Sequence, residues 1–181
     1  MRRIGAGDAR AAEALVRKHA PRMAALARRM LSDPAEAEDV AQDVFLRVWR
    51  AAPRWKPGGA KFATWMHRVA LNLCYDRLRR RRETPDAEAG LTLPDPAASA
   101  DAAWLARQRA ALVRAAMAQL PERQRAAVAL CHFEEMSNIE AAQVLEISVE
   151  ALESLLARGR RGLRASLAAA APDLMGEWGD E

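Results

Sequence analysis

The sequence predicts an all-α protein built as two small helical domains, and three observations carry the prediction. The 181-residue chain is rich in Ala, Leu, Arg and Glu but holds only 9 Gly, 1 Tyr and 3 Phe, a balance that suits helices better than the β-branched and aromatic surfaces of strands. Helix-start signals recur along it, each a capping side chain followed by a helical apolar period. Residues 83–103, ETPDAEAGLTLPDPAASADAA, interrupt that pattern with three prolines, five acidic residues and no basic one. Such a segment buries too little apolar surface to order itself, and a structureless loop of that length is uncommon inside one compact domain. The division that follows is a domain over 8–82, a flexible acidic linker over 83–103, a domain over 104–168 and an acidic tail over 169–181.

The first domain opens with a helix from about Asp8 to Leu31, kinked at Pro21, whose missing amide breaks an internal hydrogen bond. In SDPAEAEDVAQDVFLRVWR the helix restarts: Asp33 caps it, Pro34 fits the first helical position, and Glu36 supplies the third-position carboxylate of a capping box. Val40, Val44, Phe45, Val48 and Trp49 form the apolar stripe of this helix, while Asp39, Gln42, Asp43, Leu46 and Arg47 share the opposite side. An outward surface of acids, an amide and a leucine, on a chain that is basic elsewhere, fits a partner that is itself a basic protein. It fits equally a solvated face with an Asp43–Arg47 pair one turn apart.

KPGGAK then breaks the chain before FATWMHRVALNLCYDRLRRRRE, residues 62–83. Phe62, Trp65, Met66, Val69 and Leu73 follow the helical period and face the core. Asn72 lies beside that face and offers one acceptor and two donors, the equipment to read an exposed base, with Trp65 available to support an unstacked one. Five arginines within residues 77–82 follow, placed to hold phosphates. The alternative is an asparagine that bends the helix and arginines that solubilise its end.

The second domain gives a helix near 101–119, another starting at Pro121, and a pair meeting at VLEIS. Ser137 with Glu140 forms a capping box for the first helix of that pair and Ser148 caps the second. A short helix, a tight turn and a longer helix is helix-turn-helix spacing. In the longer helix Val149, Leu152, Leu156, Gly159, Leu163 and Leu167 share one face. Glu150, Ser154, Arg158 and Arg161 share the other, where the first turns would touch base edges while Arg160 and Arg164 join the later arginines on phosphates. An ordinary surface helix has the same pattern.

Charge and composition bound the function. The net charge is only +4, yet residues 47–82 contain eleven Lys and Arg against one acid, Asp76, a concentration that reads as a polyanion site. Cys74 and Cys131 have no C-x-x-C spacing and sit in apolar helical patterns, so they read as core thiols rather than a disulfide or zinc site. His19, His67 and His132 are scattered, and neither a glycine-rich phosphate loop nor a metal-ligand cluster occurs, so the expectation is a non-enzyme with no catalytic residues, no metal and no cofactor. No segment nears the ~20 apolar residues needed to span a bilayer. The expected location is therefore cytoplasmic, without membrane insertion.

Taken together, DPAEAEDVAQDVFLRVWRA, FATWMHRVALNLCYDRLRRRR and LPERQRAAVALCHFEEMSNIEAAQVLEISVEALESLLARGRRGLR resemble the extracytoplasmic-function group of bacterial RNA polymerase sigma factors. The likeness runs over about residues 8–168 without the linker, and implies a region 2 helical bundle, a flexible linker and a region 4 helix-turn-helix. It implies a factor that binds core RNA polymerase and directs promoter-specific initiation, as an alternative stress-response regulator held by an anti-sigma factor. By the same resemblance Asp39, Gln42, Asp43, Leu46 and Arg47 dock on the clamp coiled coil of β′, and region 4 meets the β flap. Trp65, Arg68, Asn72, Arg77, Arg79 and Arg80 match the segment that opens and reads the −10 element of promoter DNA, with Asn72 at the position that captures a flipped base. Glu150, Ser154, Arg158, Arg160 and Arg161 match the −35 surface. The chain departs from the family where a basic recognition-helix run is common: it carries Glu153 and Leu155, and a carboxylate accepts from cytosine N4 rather than binding guanine acceptors. The alternative function is a two-domain helix-turn-helix regulator that binds duplex DNA without polymerase.

Overall fold

The computed structural model describes residues 1–56, 61–83 and 101–170, the side chains from 107 onward in the last stretch. Among these residues every regular element is helical: α1 (Arg2–Gly5), α2 (Ala9–Leu31), α3 (Pro34–Ala51), a 3₁₀ turn (Ala52–Arg54), α4 (Phe62–Glu83), α5 (Asp101–Gln119), α6 (Glu122–Val128), a π turn (Ala129–Phe133), α7 (Asn138–Leu145) and α8 (Val149–Ala170). The acidic segment 84–100 and the tail 171–181 lie outside the described residues. The expected linker loses both its ends to helices, since α4 runs through Glu83 and α5 begins at Asp101.

Local signals fix most helix starts. Asp8 accepts from the Ala11 amide at 3.0 Å and Asp33 from the Glu36 amide at 3.0 Å, so each satisfies a donor that the helix itself leaves unpaired. The expected capping box at Asp33 forms only by half: the Glu36 carboxylate turns to Arg81 Nε at 3.2 Å, a charged partner stronger than the free cap amide. At α7 the box is complete, with Ser137 and Glu140 exchanging both bonds. Ser148 Oγ accepts from Ala151 at 3.2 Å and starts α8. Pro21 lies inside α2, which continues past it to Leu31.

Helices α2, α3 and α4 bury Met23, Leu26, Met30, Val40, Val44, Val48 and Met66 between them. Arg81, near the end of α4, bonds the Leu31 carbonyl at 3.0 Å and pairs with Asp33 at 3.5 Å, tying that helix to the α2–α3 turn. The short α1 precedes the expected start of the domain and packs with it: a Cβ on Gly5 would meet the Ala52 carbonyl oxygen at 2.7 Å, so only glycine lets the two backbones approach this closely. In the second group α5, α6 and α7 pack on α8 around Met117, Leu130, Leu152 and Leu156. The α6–α8 approach depends on Gly159, where a Cβ would stand 2.9 Å from Val128 Cγ2.

The two groups pack on each other through α4 against α7 and α2 against α5, α6 and the π turn. This explains why α4 is buried nearly all round, with Met66, Val69 and Leu73 joined by His67, Ala70, Leu71 and Cys74. One face meets α2 and α3 and another meets the second group. Arg125 of α6, itself 7% exposed, crosses the boundary to donate to the Met30 carbonyl and also bonds the Leu120 carbonyl at 3.0 Å.

Candidate functional site

The outer face of α3 carries the five residues expected to dock a partner. Asp39, Gln42, Leu46 and Arg47 are exposed, Leu46 at 49%, while Val40, Val44 and Val48 on the opposite side are sealed in the core. Asp43 is half-buried and holds Arg77 of α4 at 3.0 Å. The i, i+4 pair with Arg47, open at the level of sequence, therefore gives way to a cross-helix pair. Arg47 instead lines a shallow concavity with Arg50, Arg54, Trp55, Lys56 and Trp65.

That concavity is where the structure places Trp65. Its ring lies 5.1 Å from Trp55 and 6.0 Å from Phe62, while Trp55 and Phe62 meet edge to face at 5.4 Å. Two tryptophans backed by Phe62 and rimmed by four cations combine stacking surface with phosphate attraction, the chemistry of single-strand binding. Trp55, Lys56, Arg50 and Arg54 were not among the expected site residues. The signal in WRAAPRWK was two tryptophans interleaved with basic residues.

Further along α4, Arg68 and Asn72 face the second group. Arg68 donates to the Gln143 carbonyl at 2.7 Å and pairs with Glu146 at 2.7 Å. Asn72 is exposed and lines a cleft with Leu71, Tyr75, Glu122, Arg123, Leu145 and Glu146. Trp65 and Asn72 thus open onto different concavities. The arginine run divides by role: Arg77 is held by Asp43, Arg79 by Asp76 at 3.1 Å, Arg81 by Asp33 and Glu36, and Arg82 by Glu122 at 3.2 Å. Arg80 is exposed and makes no ion pair among the described residues. Of the expected phosphate grips, Arg77 is the most committed to the fold, with its side chain 21% exposed.

On α8, Leu152, Leu156 and Gly159 are buried and Glu150, Ser154, Arg158, Arg160 and Arg161 are exposed. Arg158 folds back to Ser154, donating to its carbonyl and hydroxyl at 3.2 Å each. Hydrogen bonds from its own backbone and from Ser148 hold the Glu150 carboxyl below its ordinary value, so it stays an acceptor at neutral pH. Glu153 is exposed and accepts from Asn138 Nδ2 at 3.3 Å, whereas Leu155 is half-buried and packs against the core. Leu155 is therefore a packing residue. The turn before α8 is held by Glu146 in the left-handed region at φ 55°.

Cys74 is buried and Cys131 half-buried, both as free thiols. Burial pushes the Cys74 thiol up to about 12. Among the described residues no group of His, Cys, Asp and Glu is arranged to hold a metal ion, and no helix is long and apolar enough to cross a membrane.

Comparison with known proteins bears on both halves. The family described as Sigma-70 region 2 matches residues 15–84 and that described as Sigma-70, region 4 matches residues 110–163. The chain is 35% identical over 159 residues to the ECF RNA polymerase sigma factor SigE of Mycolicibacterium smegmatis, a match covering 85% of this chain and 60% of that protein. It is 30% identical over 178 residues to the ECF RNA polymerase sigma factor SigW of Bacillus subtilis, covering 92% of this chain and 94% of the relative. Among solved structures, CnrH in complex with the cytosolic domain of CnrY superposes with a TM-score of 0.69 at 29% identity, over 92% of this chain and 94% of that one.

Proposed function

The chain belongs to the extracytoplasmic-function sigma factors of bacterial RNA polymerase, and from that premise we propose how its surfaces divide the work of initiation. The exposed side of α3, with Asp39, Gln42, Asp43 and Leu46, docks on a basic surface of core polymerase, the β′ clamp coiled coil. Trp65, Arg68 and Asn72 on α4 open and read the −10 element, and Arg79 and Arg80 hold its phosphates. The exposed face of α8 sits in the major groove of the −35 element, with Glu150 and Ser154 near base edges and Arg158, Arg160 and Arg161 on the backbone. The second domain meets the β flap, and an anti-sigma partner restrains the factor until a stress signal releases it.

One observation carries the reading: on α3 an exposed leucine sits among acids directly opposite a sealed valine stripe. The core does not need Leu46 where it is, whereas an interface does, since leucine adds apolar area and the acids steer a basic partner.

The test is partner dependence. The chain should bind a promoter duplex specifically only when core polymerase is present, measured by anisotropy of a labelled duplex with and without core. Equal specific binding by the free chain would replace this reading with that of an independent helix-turn-helix regulator.

A further inference from the structure

The face of α4 that carries Asn72 is already occupied. Lys61, Arg68, Asn72, Tyr75, Arg79 and Arg82 recur at three, four or seven residues, the spacing of one helical side, over about 30 Å of helix. Three of these cations hold carboxylates of the second domain: Lys61 with Glu140 at 2.9 Å, Arg68 with Glu146 at 2.7 Å and Arg82 with Glu122 at 3.2 Å. Asn72 and Tyr75 open between them onto a cleft that Glu122 and Glu146 also line.

Beneath this row a buried glutamate gathers charges from the first domain, among them a half-exposed Arg22. Glu134, its side chain 3% exposed, meets Arg29 at 3.1 Å, Arg22 at 3.7 Å and His67 Nε2 at 3.6 Å, all from the first domain. The His67 ring is oriented by its Nδ1, 2.7 Å from the Ala63 carbonyl, and Arg29 stacks 4.4 Å over Phe133. The π turn aims the carboxylate inward, since the Glu134 amide bonds the Ala129 carbonyl five residues back.

We propose that the free chain is self-inhibited by nucleic-acid mimicry: Glu122, Glu140 and Glu146 occupy the α4 cations as promoter phosphates would, and the Glu134 cluster latches the two domains in that closed arrangement. The proposal rests on the reading of α4 as the −10 surface. Its chemistry suits a reversible switch. The rim pairs are largely solvated, so each contributes little alone. The buried cluster gains Coulomb energy but loses hydration of its charges, so its net stabilisation is far smaller than the attraction. Core polymerase or DNA that engages either domain can therefore shift the population toward an open form.

The experiment uses the full chain without polymerase. Fluorescence anisotropy with a labelled single-stranded −10 oligonucleotide compares wild type with the triple variant Glu122→Gln, Glu140→Gln, Glu146→Gln, and a dye pair on the two domains reports their separation. Glutamine preserves side-chain size and the α7 cap. A control, Glu13→Gln, Glu38→Gln, Glu135→Gln, removes the same charge from positions outside the row. The triple variant should bind about tenfold tighter than wild type and the control much less, because three phosphate-competent cations are released; the inter-dye distance should lengthen only in the triple variant. Glu134→Gln should lengthen the distance as well. Equal gains in the triple variant and the control, or a distance that stays at the wild-type value, would overturn the proposal. Polymerase-dependent initiation by wild type, run in parallel, reports on the sigma reading separately.

Discussion

Asp43 of α3 and Arg77 of α4 form a 3.0 Å ion pair that joins the surface proposed for polymerase to the helix proposed for promoter reading. A charge change at Asp43 therefore acts on both surfaces. Asp39, exposed on the outward side one turn before Asp43, is the cleaner probe of docking.

Asp39→Arg is expected to weaken binding to core polymerase about tenfold, ~1.4 kcal/mol, with helical content and melting temperature unchanged. Asp43→Arg should weaken binding at least as much and also lower the melting temperature, because it turns the Arg77 pair into a repulsion. Competition binding to core and thermal denaturation separate the two. Wild-type affinity in both variants would remove α3 from the interface.

Reading and gripping should separate on α4. On the proposed reading Asn72→Ala removes hydrogen bonds to an unstacked base, so initiation should fall by the equivalent of roughly 1–3 kcal/mol, and the defect should persist on a pre-opened bubble while core binding stays normal. Arg80→Ala should instead weaken binding to many sequences alike and make its salt dependence shallower. Transcription from templates changed one base at a time in the −10 element distinguishes them. An Asn72→Ala variant with wild-type base preferences would make the asparagine structural.

Thiol chemistry reports on the core. With its pKa pushed up to about 12 by burial, Cys74 carries on the order of one thiolate in ten thousand at pH 8, and access is blocked as well. Iodoacetamide should label half-buried Cys131 slowly and leave Cys74 unmodified until denaturant is added. Rapid labelling of Cys74 in the folded protein would contradict its place between the helices.

Gly159→Val is expected to destabilise the second domain by about 1–3 kcal/mol, the usual cost of overpacking, because its Cβ would press on Val128 at 2.9 Å. Denaturant unfolding followed by circular dichroism gives the value, and −35 binding should fall with it, since α8 carries the face proposed to read that element.

What could be read from the sequence was local. Asp33, Ser137 and Ser148 act on amides three residues away, so their spacing sufficed to place three helix starts. The inner face of α8 followed from periodicity, and Leu152, Leu156 and Gly159 are buried as that period requires. The short α1 was missed because four residues show no period; its one signal was the glycine-rich turn holding Gly7 at φ 85°. The charge cluster was not legible at all. Arg29 and Glu134 stand 105 residues apart and Lys61 and Glu140 stand 79 apart, and nothing in a surface-like glutamate announces that it is buried against another domain. For the same reason Arg77 and Arg81 read as phosphate ligands or solubilising charges, although each is held by acids of α3 or the turn before it.

The central claim is that this chain gives core polymerase its promoter choice, and in vitro transcription on a genomic template pool with start-site mapping tests it most directly. Core polymerase plus the chain should produce a reproducible set of start sites that share a −10 and a −35 sequence at fixed spacing and vanish when either component is left out. Start sites identical to those of core polymerase alone would contradict the account.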